Sequence, residues 1–256
     1  MLGAIAGDII GSVFERHGTK RSDFPLFSSR SRFTDDTVLT TAVAKAIVDD
    51  IPYREVVRDF AQKYPQAGYG LHFNRWAKSS RGEPYNSWGN GSAMRVSPVG
   101  FAFNTMEEVL EEAQKSAEFT HNHPEGIKGA QSIALSIYMA RTGASKSDIK
   151  EEISSRFGYD LSRTLAEIRP EYHFDVSCQG SVPESIIAFL EAGSVEDAIR
   201  KAISLGGDSD TMGCIAGGIA EAFYGPLPES ITTEVWIRIP QEFRSIILSF
   251  FARFPV

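Results

Sequence analysis

Two short acidic stretches carry residues that could do metal chemistry. They are Thr34-Asp35-Asp36-Thr37, following Phe33, and Asp208-Ser209-Asp210-Thr211, following Gly206-Gly207. Each stands just before a run of helical periodicity. The plain reading is a helix N-cap, in which one Asp, Ser or Thr satisfies free backbone N–H groups and complements the helix dipole. A cap needs one such residue, whereas each stretch stacks two carboxylates beside threonine hydroxyls. Carboxylates so close repel unless a proton or cation offsets them. The donors are all carboxylate and hydroxyl oxygen, which suits a hard cation such as Mg²⁺, Mn²⁺ or Ca²⁺. The spacing does not follow the Asp-x-Asp-x-Asp-Gly calcium loop with its later glutamate. Two such clusters brought together could hold two metals, a device used for hydrolytic displacement.

Three further groupings could join them. Asp8, Ser12 and Glu15 fall at helical spacing among Ile5, Ile9, Ile10, Val13 and Phe14. That spacing predicts one polar face, either the wet side of a surface helix or the lining of a polar site. The run Ser87-Trp88-Gly89-Asn90-Gly91 leads into a helix start, where backbone amides can cradle an anion; a simple turn is the alternative. It lacks the Gly-Lys-Ser/Thr end of a Walker loop. His121 and His123 form a His-x-His with no third His or Cys nearby, so hydrogen-bonded or surface histidines are the better reading than a zinc site. Tyr69 and Trp76 read as packing residues.

The elements that must position these groups are helical. Helical periodicity predicts segments 37–49, 53–63, 92–103, 105–118, 124–141, 146–156, 182–192, 195–205, 211–223 and 241–251, with Gly and Pro breakers between them. The apolar start, with Asp8 inside it and no basic flank, reads as a buried helix rather than a secretion signal. Gly213, Gly217 and Gly218 inside a helical segment cost stability relative to alanine, which implies a neighbour packed very close to that backbone. Alternating strand patterns are scarce, and no repeat or linker-like shift divides the chain. The expectation is all-α, a single multi-helical domain over residues 1–256.

Composition narrows the function classes. The 256 residues are 42% hydrophobic and 23% charged, ordinary for a globular protein. A net charge of -7 argues against binding nucleic-acid phosphates, while leaving room for a local pocket for an anionic small molecule. Two cysteines without Cys-x-x-Cys spacing offer neither a disulfide framework nor a thiolate metal site. No run is apolar enough for a membrane span. The expectation is a cytoplasmic protein with no membrane or nucleic-acid partner; oligomeric state is left open.

In this order the motifs resemble the ADP-ribosylglycohydrolase family, which includes dinitrogenase reductase-activating glycohydrolases and animal ADP-ribosylhydrolases. The matching stretches run from Gly7-Asp8 through Glu15, Phe33-Thr34-Asp35-Asp36-Thr37, Trp88-Gly89-Asn90-Gly91-Ser92-Ala93-Met94-Arg95 and Thr120-His121 to Ser204-Leu205-Gly206-Gly207-Asp208-Ser209-Asp210-Thr211. The resemblance implies an all-helical fold and two Mg²⁺ ions, with Mn²⁺ possible. It implies Thr34, Asp35, Asp36, Asp208, Asp210 and Thr211 as metal ligands. Glu15 would sit by the metals and the reacting ribose, forming the catalytic set with Asp35 and Asp210. Ser87, Trp88, Gly89, Asn90, Gly91 and His121 would cradle the diphosphate, with Trp88 stacking on adenine, and Gly68, Tyr69 and Gly70 would close over the far ribose. Ser181-Val182-Pro183 is similar to the serine-directed, polymer-cleaving animal branch, although a proline at the first position of a helix explains it equally.

The implied activity is metal-dependent hydrolysis of the bond between ADP-ribose and an acceptor: a modified protein side chain, an ADP-ribose polymer or a metabolite. The alternatives are a non-catalytic ADP-ribose reader and a lens-type structural protein. Intact acidic clusters and Glu15 weigh against both.

Overall fold

The computed structural model describes residues 1–255. The helices are α1 (Leu2–Gly11), α2 (Asp35–Asp49), α3 (Tyr53–Lys63), α4 (Leu71–Lys78), α5 (Gly91–Met94), α6 (Ser97–Ala102), α7 (Met106–Glu118) and α8 (Pro124–Arg141). They continue as α9 (Lys146–Phe157), α10 (Leu165–Ile168), α11 (Cys178–Leu190), α12 (Val195–Ile203), α13 (Ser209–Tyr224), α14 (Glu229–Arg238) and α15 (Gln241–Arg253). Among the described residues the only β-type pairing is one isolated antiparallel bridge, Gly89 with Ser177. The all-α expectation therefore holds.

The axis of the fold is the pair α1 and α13, and glycine is what lets them meet. A Cβ at Gly3 would lie 2.2 Å from the Gly217 carbonyl oxygen, at Gly7 2.0 Å from that of Gly213, and at Gly11 2.3 Å from that of Ser209. One index rises by four as the other falls by four, so the two helices run antiparallel with backbones in contact. The small residues of α13 thus cost helix propensity but admit a neighbour no larger residue would allow. Glu221 of α13 completes the joint by accepting the Leu2 and Gly3 backbone N–H groups at 3.2 and 2.8 Å, satisfying donors the first turn of α1 would leave open. Antiparallel packing brings the end of α1, with Asp8, beside the start of α13, with Asp208 and Asp210.

Around this axis α3 and α12 bury one face each, whereas α2 and α11 are buried nearly all round. In α3 that face is Val56, Val57, Phe60 and Ala61, and in α12 it is Ala198, Ile199, Ala202 and Ile203. Thr105 and Ser145 start α7 and α9 with reciprocal capping boxes, to Glu108 and Asp148.

Several segments differ from expectation. The predicted helix 92–103 is two short helices, α5 and α6, with Arg95 and Val96 between them. Pro98 lies in the first turn of α6, where a missing N–H costs nothing. The third acidic grouping is not one helical face: α1 ends at Gly11 and residues 12–17 are turns, with the Ser12 hydroxyl donating back to Ile9 O at 2.9 Å. Pro183 is not at a helix start. Helix α11 begins at Cys178, capped by Ser177, and Pro183 lies inside it. Helices α4, α10 and α14 are absent from the predicted set; α10 is a single turn of four residues. Among the described residues no helix is long and apolar enough to cross a membrane.

Candidate metal centre and substrate cavity

The N-termini of α2 and α13 meet the end of α1, and five carboxylates converge there. Asp8, Asp36, Asp208 and Asp210 are buried, and Asp35 is partly exposed. Asp8, Asp36 and Asp210 each present an oxygen atom such that all three lie within 4.8 Å of one another. No lysine or arginine pairs with any of the five among the described residues. The positive ends of two long helices favour negative charge here, but cannot neutralise five carboxylates.

Asp8 is the anchor of the group. Its Oδ2 accepts the backbone N–H groups of Thr34 and Thr37 at 2.9 and 3.1 Å and the Thr37 hydroxyl, and its Oδ1 accepts the Thr34 hydroxyl at 2.7 Å. Thr34 is also the N-cap of α2, accepting the Asp36 N–H at 3.4 Å. The cap reading of this stretch therefore holds, and the same residues also hydrogen-bond within the acidic cluster. On the other side Thr211 donates toward Asp36 Oδ2 at 3.4 Å, and the Asp210 carboxylate accepts the Thr211 N–H at 3.0 Å. Asp36 Oδ1 is buried with no hydrogen-bond partner.

Burial without cations raises these acids. Desolvation, then the Asp8 charge, pushes Asp35 up to about 8. Desolvation pushes Asp8 up to about 6, against the four threonine hydrogen bonds that favour its anion. Asp36 and Asp210 are held well above the ordinary range, by burial first and neighbouring carboxylates second. Asp208 is raised by burial, with the Asn90 amide opposing. An orphaned carboxylate oxygen in a buried, all-oxygen donor set is what a hard divalent cation would satisfy, so the residues present fit such a metal.

Beside the cluster lies a cavity of about 320 Å³. Glu15, Asp35, Asp36, Asp208, Asp210 and Thr211 line one end; Ser87, Gly89, Asn90, Gly91 and His121 line another. The glycine loop is held from outside: Asn90 N–H donates to Val176 O at 2.8 Å and Cys178 N–H to Trp88 O at 2.9 Å, forming the isolated bridge. Asn90 then links loop to cluster, its amide donating to Asp208 Oδ2 at 2.8 Å and Ser181 Oγ at 3.2 Å. A Cβ at Gly91 would stand 3.0 Å from His121 Nε2, so the loop and the imidazole are tightly packed there. His121 is buried and held neutral by desolvation first and the Arg95 charge second. Its Nδ1 is 2.8 Å from the Thr120 hydroxyl, which accepts Arg95 Nη2–H at 2.9 Å. The nearest acceptor for the Thr120 proton is Nδ1, which leaves Nε2–H to donate at the loop.

Not every sequence-level candidate lines the cavity. Gly68 and Gly70 do, with Gly68 at φ +114° and its Cβ position 3.2 Å from Asp35 Oδ1. Tyr69 between them is buried and stacked on Phe73, ring centroids 5.2 Å apart. Thr34 is buried beneath Asp8 and Asp36. Trp88 lies outside the lining, 53% exposed and edge-on to His123 at 5.6 Å. His123 caps α8 through Nδ1, away from His121, so the His-x-His is not a joint site. Both cysteines are free and buried.

The structure adds residues that spacing did not single out. Asp8 was legible as an acid but not as the anchor of Thr34 and Thr37. Phe174 and Val176 line the cavity, 54% and 52% exposed; no local motif marks them, because they enter through the pairing with loop 87–91. Arg95 lines it too, fully buried without an anionic partner among the described residues, its Nη1 unsatisfied.

Residues 1–249 match the sequence profile of the ADP-ribosylglycohydrolase family. The ADP-ribosylhydrolase ARH3 of Mus musculus is 28% identical over an alignment covering 90% of this chain and 84% of its own. The Homo sapiens ADP-ribosylhydrolase ARH3 is 27% identical, covering 90% of this chain and 86% of its own. A solved structure described as an ADP-ribosylglycohydrolase-related protein complex superposes with a TM-score of 0.76 over 98% of this chain and 95% of that chain; at 23% identity this is a likeness of fold.

Proposed function

The chain belongs to the ADP-ribosylglycohydrolase family, and from that premise we propose that residues 1–256 act as one domain hydrolysing the glycosidic bond between ADP-ribose and an acceptor. The observation that carries a metal-dependent reading is the set of five carboxylates without a protein cation, one with an orphaned buried oxygen, at the end of a cavity. Thr34, Asp35, Asp36, Asp208, Asp210 and Thr211 would hold two Mg²⁺ or Mn²⁺ ions. When bound, these supply Lewis acidity toward the ribose hydroxyls and the attacking water.

The chain's own groups do the rest. Glu15, at the cavity wall beside the cluster, is placed to take or give the proton at the anomeric centre as the bond passes through an oxocarbenium-like state. Asp35 and Asp210 serve through the ligand set and not as proton carriers. Ser87, Gly89, Asn90 and Gly91 form the wall a diphosphate would meet; the Gly91 N–H and the Ser87 hydroxyl are its open donors, with His121 Nε2–H beside them, while the donors of Asn90 and the Gly89 N–H hold the loop in shape. Gly68 and Gly70 keep the wall over Asp35 thin enough for a ribose. Phe174 lines the cavity and Trp88 does not, so of the two largely exposed aromatic rings Phe174 is the one set to meet adenine.

The test is release of free ADP-ribose from arginine-linked, serine-linked and polymeric substrates, with Mg²⁺ and with chelator. Metal-dependent release from one of them, lost in Asp208→Asn, is expected. Tight ADP-ribose binding without turnover of any would favour the reader.

A further inference from the structure

A second groove of about 290 Å³ adjoins the substrate cavity at Glu15, lined by Ser12, Val13, Glu15, Arg16, His17, Arg30 and Arg32. Glu15 is the one residue it shares with the substrate cavity. The groove is basic on a chain whose net charge is -7. Not every cation in this segment is available. Lys20 donates to three carbonyl oxygens, of Arg169, Tyr172 and Leu205, and Arg21 forks onto Asp23. The guanidinium groups of Arg16, Arg30 and Arg32 have no hydrogen-bond or ion-pair partner among the described residues. Three unpartnered guanidiniums share a concavity.

The loop that carries two of them is pinned. Ser28 and Ser31 close a turn around Arg30, with Ser28 N–H on Ser31 Oγ at 3.1 Å and Ser31 N–H on Ser28 O at 3.2 Å. Arg32 N–H donates to Ser12 Oγ at 3.2 Å, and two residues later Thr34 is locked to Asp8. The Arg32 backbone is thereby fixed between the end of α1 and the acidic cluster, and Arg30 rides on the turn beside it.

We propose that this groove is the acceptor subsite and that it selects peptides carrying aspartate or glutamate next to the ADP-ribosylated residue. The inference rests on the reading above, in which Glu15 acts at the anomeric carbon; because Glu15 also lines this groove, an acceptor leaving from that carbon lies next to it. Guanidinium matches carboxylate in a two-point hydrogen bond, and arginines left solvated without a partner are primed for it. The small volume fits one or two side-chain carboxylates. The acidic body of the protein disfavours a long polyanion, for which charge repulsion would accumulate along the strand.

The experiment compares kcat/KM, with Mg²⁺, for short peptides ADP-ribosylated at one position and flanked by acidic or neutral residues. A third substrate carries phosphoserine flanks. Wild-type protein should prefer acidic over neutral flanks by about tenfold, a preference that shrinks with salt. In Arg16→Gln/Arg30→Gln/Arg32→Gln the ratio should fall to near one. Turnover of all peptides with no flank preference, or a ratio unchanged in the triple variant, overturns this inference and leaves the hydrolase reading standing. Preference for phosphoserine flanks alone overturns the carboxylate assignment. Absence of turnover on every substrate, including free-standing arginine-linked and polymeric ones, overturns both.

Discussion

The Asp8 carboxylate takes both the backbone N–H and the hydroxyl of Thr34, at 2.9 and 2.7 Å, across 26 positions of sequence. This bond pair fastens the start of α2 to the end of α1 and turns the Thr34 lone pair toward Asp36. In Asp8→Asn the carbonyl can still accept at the Oδ2 position, but an NH₂ then faces Thr34 Oγ1. The hydroxyl must accept that hydrogen and swing its own toward Asp36, so a lone pair that the proposed metal would use is consumed. Groups one step behind a metal's ligands typically contribute 10- to 100-fold in affinity. Mg²⁺ affinity measured by calorimetry should fall by about that factor; an unchanged affinity would remove Asp8 from the site.

The raised acids give the metal-free protein a characteristic pH dependence. Asp8 and Asp35 titrate near 6 and near 8 in the fold, against about 3.8 for an ordinary aspartate. A carboxyl whose folded value is raised contributes its full stability below the unfolded value, and that contribution is lost as pH rises through the folded value. Tm in the presence of chelator should therefore decline between pH ~5 and pH ~8. The increment gained from saturating Mg²⁺ should grow over the same interval, because the cation binds the ionised cluster. A chelated Tm that is flat or rising across this window would show that the cluster is not desolvated as the fold implies.

How much of this could be read from sequence depended on whether the signal was local. The stretches around Asp35 and Asp208 were legible because two carboxylates at one helix start exceed what a cap needs. The glycines of α13 foretold a close neighbour, but not that it would be α1. The spacing of Asp8, Ser12 and Glu15 suggested a continuing helix; the chain turns at Ser12 instead, and Glu15 reaches the cavity from that turn. Helix α11 starts four residues before its predicted start, because Ser177 and not the Ser181-Val182-Pro183 stretch caps it. Phe174, Val176 and the groove of Arg16, Arg30 and Arg32 arise only from pairings distant in sequence, which no periodicity encodes.

Two exposed aromatics compete for adenine, and the cavity lining separates them. Phe174 is part of the lining, whereas Trp88 is outside it, edge-on to His123. Stacking of a base on an aromatic ring is worth about 1–3 kcal/mol by alanine substitution. Phe174→Ala should weaken ADP-ribose binding by an amount in that range, and Trp88→Ala should cost clearly less. Titration of each variant with ADP-ribose decides it. The reverse order would return adenine to Trp88 and place the base at the rim.

The geometry of the acidic cluster depends on how closely α1 and α13 approach, which makes Gly7 more than a packing residue. A Cβ there would stand 2.0 Å from the Gly213 carbonyl oxygen and 2.2 Å from its carbon. Both are backbone atoms of a buried helix, so neither can rotate aside and the helices must separate. Overpacking of this kind costs about 1–3 kcal/mol, and more where no side chain can yield. Separation also moves Asp8 away from Asp210, since Asp8 follows Gly7 on the same turn. Gly7→Ala should therefore lower Tm by several degrees and weaken Mg²⁺ binding together. Gly193→Ala, whose Cβ would meet nothing nearer than 3.9 Å, should do neither. Should Gly7→Ala lose stability yet bind Mg²⁺ as the wild type does, the helix spacing would not be what sets the distance between the carboxylates.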